Sequence, residues 1–221
     1  MIKIKLMLFD LDGTLIASGA DLARSVNLML RDLGRPQLDE ATVGSFVGDG
    51  VRVLVHRSLT ATDPRLRPPD ERLHSEGIGL MHKHYAEQML VSTRLYPGVA
   101  ETLDHFKGKR KAVVTSKEAR FTGLILEHFG IAKDFDCIIG GDTVSARKPD
   151  PEPVRQALMA LRGEASEAVM VGDSENDVLS GSRAGTLTCG VSYGFRTREQ
   201  LRLTSPDVLI DRFEELKENF Y

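Results

Sequence analysis

Phe9-Asp10-Leu11-Asp12-Gly13-Thr14-Leu15 decides how this chain is read. It places two carboxylates two residues apart at the end of the apolar run Ile4, Leu6, Met7, Leu8 and Phe9, then turns at Gly13. Near-continuous apolar sequence suits a strand buried on both faces of a parallel sheet. Asp10 and Asp12 emerge at its C-terminal end, where ligands bind in open α/β sheets. Residues two apart on a strand point the same way, and a turn at Gly13 lets Leu11 enter the core while both acids face one site. Like charges so close call for a cation between them or for one carboxylate to hold a proton. An isolated D-x-D-G also reads as a solvated turn whose acids bond backbone amides, so partners elsewhere in the chain decide the matter.

The bulk numbers narrow the field. A chain of 221 residues, 41% hydrophobic and 28% charged, is long enough for one large core or a core with a small second domain. Lys+Arg 29 against Asp+Glu 32 leaves a formal net charge of -3, so there is no global pull toward nucleic acid or membrane and any anion site is local. Cys137 and Cys189 sit in apolar contexts without C-x-x-C spacing and read as buried, reduced thiols. The apolar stretch ahead of Asp10 is too short for a signal peptide or a membrane span, which predicts a soluble, cytoplasmic protein.

Outward from the opening motif, Leu22, Val26, Met29, Leu30 and Leu33 fall at helical spacing from Asp21 and stop at Gly34-Arg35-Pro36. Asp39 caps a short helix ending near Val47, and the Gly48-Asp49-Gly50 turn opens another through Leu59. Prolines 64, 68 and 69 make a stop, and a long helical pattern follows with Leu73, Ile78, Met81, Tyr85 and Met89 on one face. No strand is expected from about Ile16 to about Leu90. After Tyr96-Pro97-Gly98 the character changes to regular alternation. Strands at Ala112–Val114, Cys137–Ile139, Ala168–Val171, Leu187–Val191 and Val208–Ile210 are separated by helical patterns, the last of which (Phe213, Leu216, Phe220) closes the chain. Such alternation implies an α/β fold with a doubly wound parallel sheet. The expected division is a catalytic core of residues 1–16 and 91–221, with an all-helical insertion, residues 17–90, after strand one. An insertion at that point is expected to stand over the strand ends and shut a site from water.

Four strand ends carry polar clusters: Asp10 and Asp12, then Thr115-Ser116-Lys117, then Arg147-Lys148-Pro149, then Asp173-Ser174. Singly each has a bland reading, as a strand-end hydroxyl, a solvated loop cation or a helix N-cap. Together at one sheet edge they supply carboxylates for a metal, a hydroxyl and an ammonium, the groups that a phosphoryl group requires.

The set DLDGTL, VVTSK, RKPDPEP and GDSENDV resembles, in order and spacing, the four motifs of the haloacid dehalogenase superfamily. LYPGVAETL, FVGDGVRVLV and the tail VSYGFRTREQL further resemble its phosphoglycolate phosphatase-like branch. The resemblance implies a Rossmann-like core with a small helical cap. It also implies a Mg²⁺-dependent phosphatase acting on small phosphate monoesters, 2-phosphoglycolate foremost, through an aspartyl-phosphate. Asp10 would be the nucleophile and Asp12 the acid and base. Mg²⁺ would bind Asp10, the backbone carbonyl of Asp12, and Asp173, supported by Asp177. Thr115 and Lys148, with Ser116, would hold the phosphoryl group. Ser116 stands where the family often has Asn, and Ala17 where an acid often precedes the serine. A sugar-phosphate phosphatase or phosphomutase of the same superfamily is the alternative, and a phospho-Asp receiver-type module, about half this length, the alternative of another class. Substrate choice is assigned to the insertion, where Arg52, after the Gly48-Asp49-Gly50 turn, would hold a substrate carboxylate, with Arg24 a weaker rival.

Overall fold

The computed structural model describes residues 1–63, 65 and 70–221; the expected stop at prolines 64, 68 and 69 lies outside the described residues. The chain divides into two compact units, Met1–Ala17 with Leu95–Tyr221, and Ser18–Arg94. The sequence reading set these divisions at 16/17 and 90/91.

The first unit is built on β1 (Leu6–Phe9), β4 (Arg110–Val114), β5 (Cys137–Ile139), β6 (Ala168–Gly172), β7 (Leu187–Val191) and β8 (Val208–Ile210). They form one sheet in the order β5-β4-β1-β6-β7-β8, and every pairing is parallel. All four residues of β1 are buried, as its unbroken apolar sequence requires of a central strand. Alternation then sorts them. Leu6 and Leu8 join Ala112, Val114, Ala168 and Met170 in a cluster closed by Val154, Ala157 and Leu158 of α7 (Glu152–Ala160). Phe9 packs instead on Phe135 and Phe213, with ring centroids 6.1 and 5.8 Å away. The other helices of this unit are α5 (Val99–His105), α6 (Ala119–His128), α8 (Glu175–Ala184), α9 (Arg198–Arg202) and α10 (Leu216–Asn219).

The second unit holds α1 (Gly19–Asp32), α2 (Glu40–Phe46), α3 (Val51–Thr62) and α4 (Glu71–Gln88). Asp39 caps α2 through the Thr42 N–H, as expected, and Asp70 caps α4 through the Leu73 N–H. The unit is tied by a buried carboxylate: Asp21 accepts from the N–H groups of Ser92 and Thr93, the Thr93 hydroxyl and the Arg24 guanidinium, at 2.8 to 3.0 Å. Burial pushes Asp21 up, but these donors outweigh it and hold the carboxyl below the usual range.

Four expectations need correction. A two-stranded sheet joins β2 (Ile16–Ala17), at the edge of the stretch where no strand is expected, to β3 (Arg94–Leu95), which the sequence reading does not name, because two-residue strands carry no periodicity to read. Helix α9 also went unread, although Thr197 and Gln200 form its capping box. At the C-terminus a 3₁₀ turn, Phe213–Glu215, precedes the four-residue α10, and Phe220 lies beyond it in a bridge to Ile2. Both cysteines are free, but Cys137 is only half-buried, since β5 is an edge strand, whereas Cys189 is buried.

Candidate active site

The chain leaves β1 toward β4 and β5 on one side and later returns to place β6 on the other, so the strand order reverses between β1 and β6. In a doubly wound sheet this switch point opens a crevice at the carboxyl ends of the strands. Asp10 follows β1 directly and Asp173 follows β6, and the Asp10 N–H donates to the Val171 carbonyl at 2.9 Å. Leu11 is fully buried, so the turn sends it inward and frees its neighbours for the crevice.

Asp10, Asp173 and Asp177 come together there, all buried, with a carboxylate oxygen of each within 4.8 Å of the others. Lys148 joins the cluster. Its Nζ donates to Asp10 Oδ1 at 2.7 Å, to Asp177 Oδ1 at 2.5 Å and to the Val114 carbonyl at 2.8 Å. Asp177 Oδ2 accepts from the backbone N–H and hydroxyl of Ser174, the capping box of α8, so both its oxygens are engaged by protein donors. Asp173 Oδ2 accepts the Phe195 N–H at 2.7 Å. Room for that carboxylate depends on two glycines. A Cβ on Gly13, whose φ is +83°, would lie 2.2 Å from Asp173 Oδ2, and one on Gly194 would lie 2.4 Å from the Asp173 Cβ.

Burial dominates the electrostatics. It pushes Asp10 up to about 7; Lys148 pulls the other way, while Asp177 and Asp12 add to the rise. Asp173 is raised well above the carboxylate range by burial, then by Asp10 and Asp177. Burial alone would lower Lys148, but Asp10 and Asp177 overcome it and hold the ammonium charged. Three buried carboxylates against one lysine fit a divalent cation, which would remove the repulsion and satisfy oxygens that the low-dielectric site penalises. Asp173 Oδ1 is met by the Thr14 hydroxyl at a long 3.5 Å, so Asp10 and Asp173 are the acids best placed to offer an oxygen.

The Asp12 carboxylate is not a member of this cluster. It pairs with Lys117, Nζ to Oδ2 3.0 Å, both side chains nearly buried. Sequence reasoning noted Lys117 beside Thr115 and Ser116 but gave it no part; a pair between two strand ends far apart in sequence leaves no local signal. Thr115 is buried, and its Oγ1 accepts the Lys117 N–H at 3.2 Å. The Ser116 hydroxyl is buried with no hydrogen-bond partner among the described residues. Tyr193 was also missed: its hydroxyl donates to the Thr14 carbonyl at 2.9 Å, bracing the turn, and its ring lies 4.5 Å from that of Tyr96. In the helical unit, Arg52 is half exposed on α3 with its guanidinium 3.4 Å from Glu71, and Arg24 is engaged by Asp21 and Ser92.

A doubly wound α/β enzyme with an acidic, lysine-bridged centre at its switch point is the class that these features define. The chain belongs to the haloacid dehalogenase-like hydrolase family, whose model matches residues 7–191. It is similar to a phosphoglycolate phosphatase of Colwellia psychrerythraea, 37% identical over 96% of this chain and 95% of that protein. A phosphoglycolate phosphatase of Neisseria meningitidis is 38% identical over 98% and 93%. A crystal structure of a predicted phosphoglycolate phosphatase from Haemophilus somnus superposes with a TM-score of 0.93 at 32% identity, covering 99% of each chain. The receiver-module alternative falls with the family match. Among the described residues no helix is long and apolar enough to cross a membrane.

Proposed function

We propose that this chain is a Mg²⁺-dependent phosphatase that hydrolyses small phosphate monoesters through an acyl phosphate on Asp10, with 2-phosphoglycolate its main substrate. The observation that carries the reading is the buried cluster of Asp10, Asp173 and Asp177 bridged by Lys148. The choice of substrate is supported by the relatives named phosphoglycolate phosphatase.

In this reading the first unit performs the chemistry. An Asp10 oxygen attacks phosphorus in line with the ester oxygen; the P–O ester bond breaks and Asp12 gives its proton to the departing alkoxide. Asp12 then takes a proton from the water that attacks the same phosphorus, releasing inorganic phosphate and restoring Asp10. Thr115, Ser116 and Lys148 hold the phosphoryl oxygens, and Asp177 positions Lys148. Mg²⁺, held by Asp10, the Asp12 carbonyl and Asp173, would neutralise the phosphoryl charge that faces the nucleophile.

A panel of phosphate monoesters tests this, assayed with Mg²⁺ and again in excess chelator. The expected result is highest kcat/KM on 2-phosphoglycolate, lost on chelation and restored by Mg²⁺. Undiminished hydrolysis in chelator removes the metal from the account. A preference for sugar phosphates, or transfer of the phosphoryl group to a sugar instead of water, replaces the substrate assignment.

A further inference from the structure

We propose that Lys117 binds the carboxylate of the leaving group, making the first unit itself selective for an ester whose acid group lies one methylene from the bridging oxygen. The inference rests on the reading that Asp12 serves that bridging oxygen.

Two lysines with largely buried side chains stand at this sheet edge, and their surroundings differ. An ammonium has three protons, and those of Lys148 go to Asp10, Asp177 and the Val114 carbonyl, so its charge serves the nucleophile and the phosphoryl group that meets it. Lys117 instead pairs with the other acid, 3.0 Å from Asp12 Oδ2, with its side chain 7% exposed. If Asp12 touches the bridging oxygen, a carboxylate two covalent bonds from that oxygen comes within reach of the cation held against Asp12. A cation so shielded from water discriminates more strongly than an exposed one. Arg52, half exposed and 3.4 Å from a still more exposed Glu71, is screened by solvent. The same segment carries a second hint of a ligand. The Ser116 hydroxyl is buried without a partner among the described residues, a cost that a bound oxyanion removes.

The test compares 2-phosphoglycolate with ethyl phosphate, which replaces the carboxylate by a methyl group, on the wild type, Lys117→Met and Arg52→Ala. A lost charged hydrogen bond predicts that Lys117→Met lowers kcat/KM for 2-phosphoglycolate roughly 10- to 100-fold more than for ethyl phosphate. Calorimetry in an Asp10→Asn background, where no turnover occurs, should show the same selective loss of 2-phosphoglycolate affinity. Lys117→Gln, which keeps a donor toward Asp12 without the charge, should reproduce the loss and guards against a folding defect in the methionine variant. Equal losses on both esters would mean that Lys117 acts only through Asp12, overturning its carboxylate role and leaving the phosphatase reading intact. A selective loss confined to Arg52→Ala would move the role to the helical unit. A wild type that cleaves ethyl phosphate but not 2-phosphoglycolate would overturn the substrate assignment, and this proposal with it.

Discussion

Lys148→Met should destabilise the first unit by an amount that its surroundings set. The ammonium is the shared partner of Asp10 and Asp177, and Asp10, Asp173 and Asp177 are 8%, 2% and 1% exposed. Methionine keeps the length and apolar stem, so the change isolates the charge. Removing one partner of a buried ion pair costs about 3–5 kcal/mol, because the remaining charge is left buried and uncompensated. For a domain of this size each kcal/mol shifts Tm by about 2–4 °C, so a fall of about 6–20 °C is expected in chelator. If Mg²⁺ binds as proposed, adding it should recover part of the loss, since a cation there would neutralise the same carboxylates and favour the folded state. Thermal unfolding followed by circular dichroism, with and without Mg²⁺, reads both quantities. A variant within about 2 °C of wild type in chelator would refute the claim that Lys148 compensates the cluster.

Gly13→Ala should impair both turnover and stability. It strains a left-handed backbone by about 1–3 kcal/mol and drives a methyl into Asp173 Oδ2, and near-normal kcat with unchanged Tm would contradict that packing. In the helical unit, Asp21→Asn should cost about 1–3 kcal/mol at neutral pH by setting an amide donor among backbone donors. The Asp21 carboxyl is held below its ordinary value of 3.8 in the folded chain, so its stabilisation is full above that value and is lost as pH falls through the depressed one. The gap between wild type and variant in denaturant unfolding should therefore close on acidification below 3.8, and a gap that persists would show that Asp21 titrates without coupling to the fold.

The legible parts of this molecule are those with a repeating or chemically loaded signature. β1 announces itself by four apolar residues ending in an acid, and all six strands of the main sheet stand where short apolar runs are read, four of them with polar clusters at their ends. Asp10, Thr115 and Asp173 stand out in the sequence because each directly follows such a run, and Lys148 because it lies in the Arg147-Lys148-Pro149 cluster beyond the third. β2 and β3 were not, having two residues each and no period. The pairing of Lys117 with Asp12, the Phe195 N–H on Asp173 and the Tyr193 brace depend on which chain segments the strand order brings together. Residues 105 and 179 positions apart meet there, and no local pattern encodes that. The Asp12 carboxylate faces a lysine, which leaves to the metal only the part that the resemblance implies for Asp12, its backbone carbonyl.

The central claim is that Asp10 takes the phosphoryl group. Mixing the enzyme and Mg²⁺ with 2-phosphoglycolate, quenching in acid during turnover and mapping the phosphate by mass spectrometry should place it on the peptide containing Asp10, with none in Asp10→Asn. Phosphate on another residue, or turnover by Asp10→Asn at the wild-type rate, would contradict the account.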